Sequence, residues 1–172
     1  ITPGDIDTVI LTRAHPDHVR GNITTEGKIA FPNARFAMRK DEWSFWMSNP
    51  DLGKLRADEH VKELLRAVAR NSLTPLQGRV DLIEGENEIL PGFRPTAAPG
   101  HTPGHMALTI SSEGEQLLLI SDTVIHLIHV EHPEWRAAVD MSEQVVATRR
   151  RLLDWAATQK ALVLAFHFPF PS

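Results

Sequence analysis

Four times along this chain a short apolar, strand-like run gives way to a loop carrying histidine or aspartate, and few folds accommodate that arrangement. Residues 6–12 run into His15-Pro16-Asp17-His18, and residues 93–97 into Pro99-Gly100-His101-Thr102-Pro103-Gly104-His105. Residues 117–121 lead to Asp122, and residues 161–166 to His167. Strand ends on a rigid sheet let loops distant in sequence converge on one point, which is what a metal centre requires. Imidazole and carboxylate suit zinc, iron, manganese or cobalt, and a sulfur-free site typically leaves a position for water. Each segment alone has an ordinary reading: a turn, a glycine-rich loop, a cap, a satisfied core histidine. Four of them in this order favour the metal site.

The remaining pattern predicts a mixed α/β chain. Residues 35–38, 80–83 and 106–110 read as further strands, and residues 161–166 as a last, buried one. Residues 40–47 read as a short helix with Trp43 and Trp46 on one face. Val61, Leu64, Leu65 and Val68 keep the helical period, predicting an amphipathic helix over 58–73. Asp140 and Glu143 read as a capping pair for a long helix with the apolar stripe Val145, Val146, Leu152, Leu153 and Ala156. With no repeat or linker, residues 1–172 are expected to form one domain.

Composition excludes several classes. Eighteen basic against twenty-two acidic residues leave a net charge of −4, with no basic cluster large enough for a nucleic-acid surface. Zero cysteines remove disulfides, a thiol nucleophile and thiolate metal sites. No apolar run is long enough to span a membrane. The first residues show no signal-peptide pattern and no Met, so the chain is expected to start inside a longer product or after a processing site. The compartment stays open between cytoplasmic and secreted or periplasmic.

Residues 12–18, the PGHTPGH loop, Ser121-Asp122 and Phe166-His167-Phe168-Pro169 resemble the metallo-β-lactamase superfamily of hydrolases, whose leading motif is His-x-His-x-Asp-His. FPNARF, DEWSFW, HVEHPEW and the closing HFPFP are most similar to the branch holding methyl parathion hydrolase and lactonase-like enzymes. The resemblance implies an αβ/βα sandwich of mixed sheets with helices outside, here a partial domain whose N-terminal strands and C-terminal end are missing. It implies two metal positions: His15 and His101 at the first, Asp17, His18 and His167 at the second, and Asp122 bridging them. Zinc is the implied cofactor, as one or two ions, with manganese, iron or cobalt as alternatives. Asp17 and Asp122 would be the catalytic carboxylates around a metal-activated hydroxide. The substrate would be a small lactone, carboxylic ester or phosphotriester, and Trp46 and Phe168 would line its pocket. His105 is expected to orient a ligand, and His126, His129 and His132 to lie on a solvated loop. A second copy of the chain, as a homodimer, could cover the sheet edge that missing strands would expose.

One position departs from the family motif. Arg13 stands where the first histidine belongs, and guanidinium has no lone pair for a cation. The first metal position is therefore expected to be weak or empty, with Arg13 pointing at Asp122. The alternative is that Arg13 swings outward and three ligands suffice. A catalytically weak or inactive member of the fold is the competing functional reading.

Overall fold

The β-branched run Thr8–Leu11 forms β1, the first strand of the computed structural model, which describes residues 1–169. The closing Phe170 and Pro171 lie outside the described residues. The chain divides into two compact units, Ile1–Glu84 and Gly85–Ser172.

In the N-terminal unit, β1, β2 (Arg35–Arg39) and β3 (Val80–Ile83) form a parallel sheet in that order. Parallel neighbours need crossover connections. Helix α1 (Pro16–Val19) lies between β1 and β2 in sequence, and α2 (Lys40–Met47) and α3 (Glu59–Leu73) lie between β2 and β3. The central strand is buried through Phe36, Ala37 and Met38, as expected of a parallel strand covered on both faces. Leu65, Ala69 and Leu73 bury the apolar side of α3. Asp58 caps that helix by accepting the Val61 N–H at 2.9 Å, a bond worth about 1 kcal/mol.

In the C-terminal unit, β4 (Phe93–Ala97), β5 (Met106–Ser112) and β6 (Glu115–Leu119) run antiparallel, and β7 (Leu162–Leu164) adds in parallel beside β6. Helix α4 (Ile128–Glu131) and the long α5 (Gln144–Gln159) complete it. Ala98, Ala107, Leu118, Ile120, Leu152 and Ala156 are among the residues of its core. Lys160 ends α5 in the left-handed region at φ 54°, its N–H reaching the carbonyls of Ala156 and Ala157.

Four expectations are corrected. Residues 13–18 are not all loop, since Pro16 starts a helical turn there. Strand β7 is not buried: Leu162, Val163 and Leu164 are 69%, 44% and 43% exposed, because the strand is the sheet's last and pairs on one side only. Asp140 and Glu143 do not form a capping pair, since Glu143 makes no side-chain cap and Asp140 is turned elsewhere. His129 is not on a solvated loop but only 5% exposed. Among the described residues, no helix is long and apolar enough to cross a membrane.

Candidate metal centre

The N-terminal unit delivers its candidate ligands at the end of β1. The chain goes straight from the strand into a buried stretch, Thr12 to His15, and Pro16 then fixes the start of α1, which carries Asp17 and His18. Glu42, fully buried on α2, holds this loop: one carboxylate oxygen accepts the Ala14 N–H at 2.9 Å and the Trp46 indole N–H at 2.8 Å. The Trp46 ring meets His15 edge-on, with centroids 5.7 Å apart. Trp46, expected at a pocket rim, is only 1% exposed and braces the ligand loop from beneath.

Arg13 does not swing outward; it is 2% exposed. Its Nε donates to His15 Nδ1 at 3.2 Å, and its Nη2 donates to both carboxylate oxygens of Asp17 at 3.2 Å. Guanidinium never gives up its proton, so His15 Nδ1 must be the acceptor in that contact. The neutral ring then carries its hydrogen on Nε2. His18 Nε2 lies 3.1 Å from Asp17 Oδ2. Partial burial pushes the Asp17 carboxyl up, but the hydrogen bond from His18 and the positive charge of Arg13 outweigh it and hold the group well below the usual carboxylate range.

The C-terminal unit brings together His101, Asp122 and His167. Asp122 Oδ2 lies 3.6 Å from His101 Nε2 and 3.0 Å from His167 Nε2. Asp122 and His101 are buried, whereas the His167 side chain is 38% exposed. The His101 ring is aimed from behind: its Nδ1 lies 2.9 Å from Asp140 Oδ1, so the ring N–H there donates and the Nε2 lone pair faces Asp122. A carboxylate behind an imidazole is the arrangement that orients metal-binding histidines. Two imidazoles flanking one carboxylate are donors of the kind that hold divalent cations such as zinc.

His105, expected to orient a ligand, holds the backbone at Asp122. Its Nε2 accepts the Asp122 N–H at 3.1 Å, and its Nδ1–H donates to the Ala98 carbonyl at 2.9 Å, so both ring nitrogens are used. Gly100 explains the loop's route. At φ +133° a Cβ there would sit 2.1 Å from the Val145 nitrogen, so only glycine lets the loop lie against the start of α5. Phe168, expected in the pocket, is half-buried and packs against the core of its unit.

Three residues that matter here were not read as part of the site. Asp140 gave no signal beyond a carboxylate ahead of a helix. Burial pushes its carboxyl up, against the Ala137 N–H and the charges of Arg149, His129 and Arg136. Glu42 and Arg149 did leave a trace: each is a charged residue at helical spacing from buried apolar ones, Glu42 four before Trp46 and Arg149 four after Val145.

His129 leads to a stability prediction. Burial lowers its pKa, the Arg149 and His126 charges push the same way, and Asp140 opposes them. The unfolded chain therefore takes up this proton more readily than the folded one. The stability it confers is complete above about pH 6.5 and declines as pH falls below that value. Urea unfolding midpoints should drop from pH 7 to pH 5, and His129→Gln should flatten that drop.

A model of the metallo-beta-lactamase superfamily matches residues 1–167. An N-acyl homoserine lactonase from a Bacillus species is 28% identical over 166 residues, covering 96% of this chain and 57% of the relative. Its counterpart from Bacillus cereus is 27% identical over 165 residues, with the same coverage of 96% and 57%. Among solved structures, AidC, a dizinc quorum-quenching lactonase in complex with a product, matches with a TM-score of 0.91 at 30% identity, covering 99% of this chain and 60% of that one. The hydrolase AbOPH of the beta lactamase superfamily matches with a TM-score of 0.89, also at 30% identity, and with coverage of 99% and 60%. The chain thus spans 57–60% of the length of these relatives.

Proposed function

This chain belongs to the metallo-beta-lactamase superfamily, and from that membership we propose that it is a metal-dependent hydrolase of ester-like bonds, lactones foremost. The observation that carries the reading is Asp122 flanked by His101 and His167, with His101 aimed by Asp140 and the Asp122 backbone tied to His105. The lactonase relatives favour a small lactone over a carboxylic ester or phosphotriester. When bound, a divalent ion supplies Lewis acidity towards a carbonyl or phosphoryl oxygen and makes water nucleophilic near neutral pH.

Zinc is the proposed ion: Asp122 and His167 would hold it in the C-terminal unit, and Asp17 and His18 are the donors that the family motif offers in the N-terminal unit. His15, the N-terminal unit's donor of the other set, would bind metal weakly. Arg13 is the reason: it is no donor itself, and it takes the Nδ1 lone pair of His15 while Nε2 carries a hydrogen. Asp17 keeps acceptor capacity despite Arg13, because a carboxylate offers about four lone-pair sites. Residues 1–172 are read as one partial domain, since a single family model runs through both units.

The test is turnover of an acyl homoserine lactone, an aryl ester and a phosphotriester, with added zinc or manganese and after chelation. The lactone should be hydrolysed fastest, and a chelator should stop it. Turnover that survives exhaustive chelation overturns the proposal. The Arg13–His15–Asp17 contacts favour a second reading, a metal-holding member with little activity. It predicts zinc retention without turnover of any of the three substrates.

A further inference from the structure

Arg149 is fully buried on α5, in line with Val145 and Leu152, where an apolar side chain would pack without cost to any charge. Burial lowers its pKa, which only the charge of Asp140 opposes. Its hydrogen bonds go to backbone carbonyls of a single segment. Nε donates to Thr123 at 2.7 Å, and Nη1 donates to Pro133 at 2.8 Å and Trp135 at 2.6 Å. One planar fork therefore closes the segment that begins immediately after Asp122.

The backbone at Asp122 needs such a hold. Ser121, buried and not glycine, sits in the left-handed region at φ 49°, and Asp122 itself has φ −88° and ψ 16°. The Asp122 N–H is fixed by His105, and one residue further on the Thr123 carbonyl is fixed by Arg149. The Asp122 carboxylate is thus presented from backbone held at the peptide before it and at the second peptide after it. We infer that Arg149 is a positioning residue that sets the aim of Asp122 through the Thr123 carbonyl and the loop closed by Pro133 and Trp135. The inference rests on the metal-site reading above and adds to it a residue with no donor of its own for the ion.

Lysine cannot replace this function, since a single ammonium lacks the rigid fork that reaches three carbonyls. Arg149→Lys and Arg149→Met are compared with Arg150→Met, an exposed neighbour on the same helix. Zinc affinity is measured by competition with a chromophoric chelator, the ligand field by the visible spectrum of the cobalt-loaded protein, and unfolding temperature with and without metal. Both Arg149 variants should bind zinc about 10–100-fold more weakly, the usual effect of losing a group that orients a ligand. The cobalt spectrum should change, and the gain in unfolding temperature on adding zinc should shrink; Arg150→Met should match the parent. Should Arg149→Met fail to fold, Arg149→Lys, which keeps the charge and most of the stem, carries the comparison. Zinc affinity and cobalt spectrum equal to the parent's overturn the inference. So does an equal fall in unfolding temperature with and without metal, which marks a merely structural role. If the parent binds no zinc, the metal-site reading fails first and takes this inference with it. If the parent binds zinc and the Arg149 variants bind it equally well, only the inference fails.

Discussion

If the proposed function holds, Asp122→Asn should lower lactone hydrolysis by about a thousand-fold and strip zinc, while the chain stays folded. The size follows from the several kcal/mol that a correctly held ion contributes to a transition state, at about 1.4 kcal/mol per tenfold in rate. Asparagine keeps the shape of the side chain but loses the charge that both His101 and His167 face. The hydrogen bond to His105 comes from the Asp122 backbone, so the substitution leaves that tie and the loop's course in place. Rate, zinc content and far-ultraviolet circular dichroism of the same preparation decide the matter. Hydrolysis within tenfold of the parent would show that Asp122 is not at the reacting centre.

Arg13→His works in the opposite direction. It removes a positive charge that holds His15 and Asp17 together and supplies a donor where the family motif has one. His15 recovers its Nδ1 lone pair, and Asp17 loses the competitor for both of its oxygens. Bound zinc should rise from one equivalent towards two, and lactone hydrolysis by about ten-fold or more, since a second ion brings its own charge stabilisation. Elemental analysis and the lactone assay measure the two effects. Two tightly held equivalents in the parent protein would remove the premise.

Much of this was legible in the chain itself. The helix at Lys40–Met47 and the strands at Val80–Ile83 and Phe93–Ala97 follow directly from apolar periodicity between turn residues. The candidate ligands of the C-terminal unit fall where loops leave strands, and His105 was readable as an orienting group because coordinating imidazoles need oriented neighbours. What remained hidden depends on long-range contacts. Asp140 pairs with His101 across 39 residues, which no local pattern records. His129 sits among polar neighbours, so its burial comes from packing and not from its own sequence window. Strand β7 has the composition of a core strand, and only its place at the end of the sheet exposes it. Arg13 was legible as a non-ligand, but its hold on the His15 lone pair needed coordinates.

Gly100 presses its backbone so closely on Val145 that not even a methyl group fits between them. The turn that carries His101 and the head of the long helix are thus in direct backbone contact. A substitution that changes the axial register of that helix is therefore expected to disturb the turn that carries His101, even from a position remote from it.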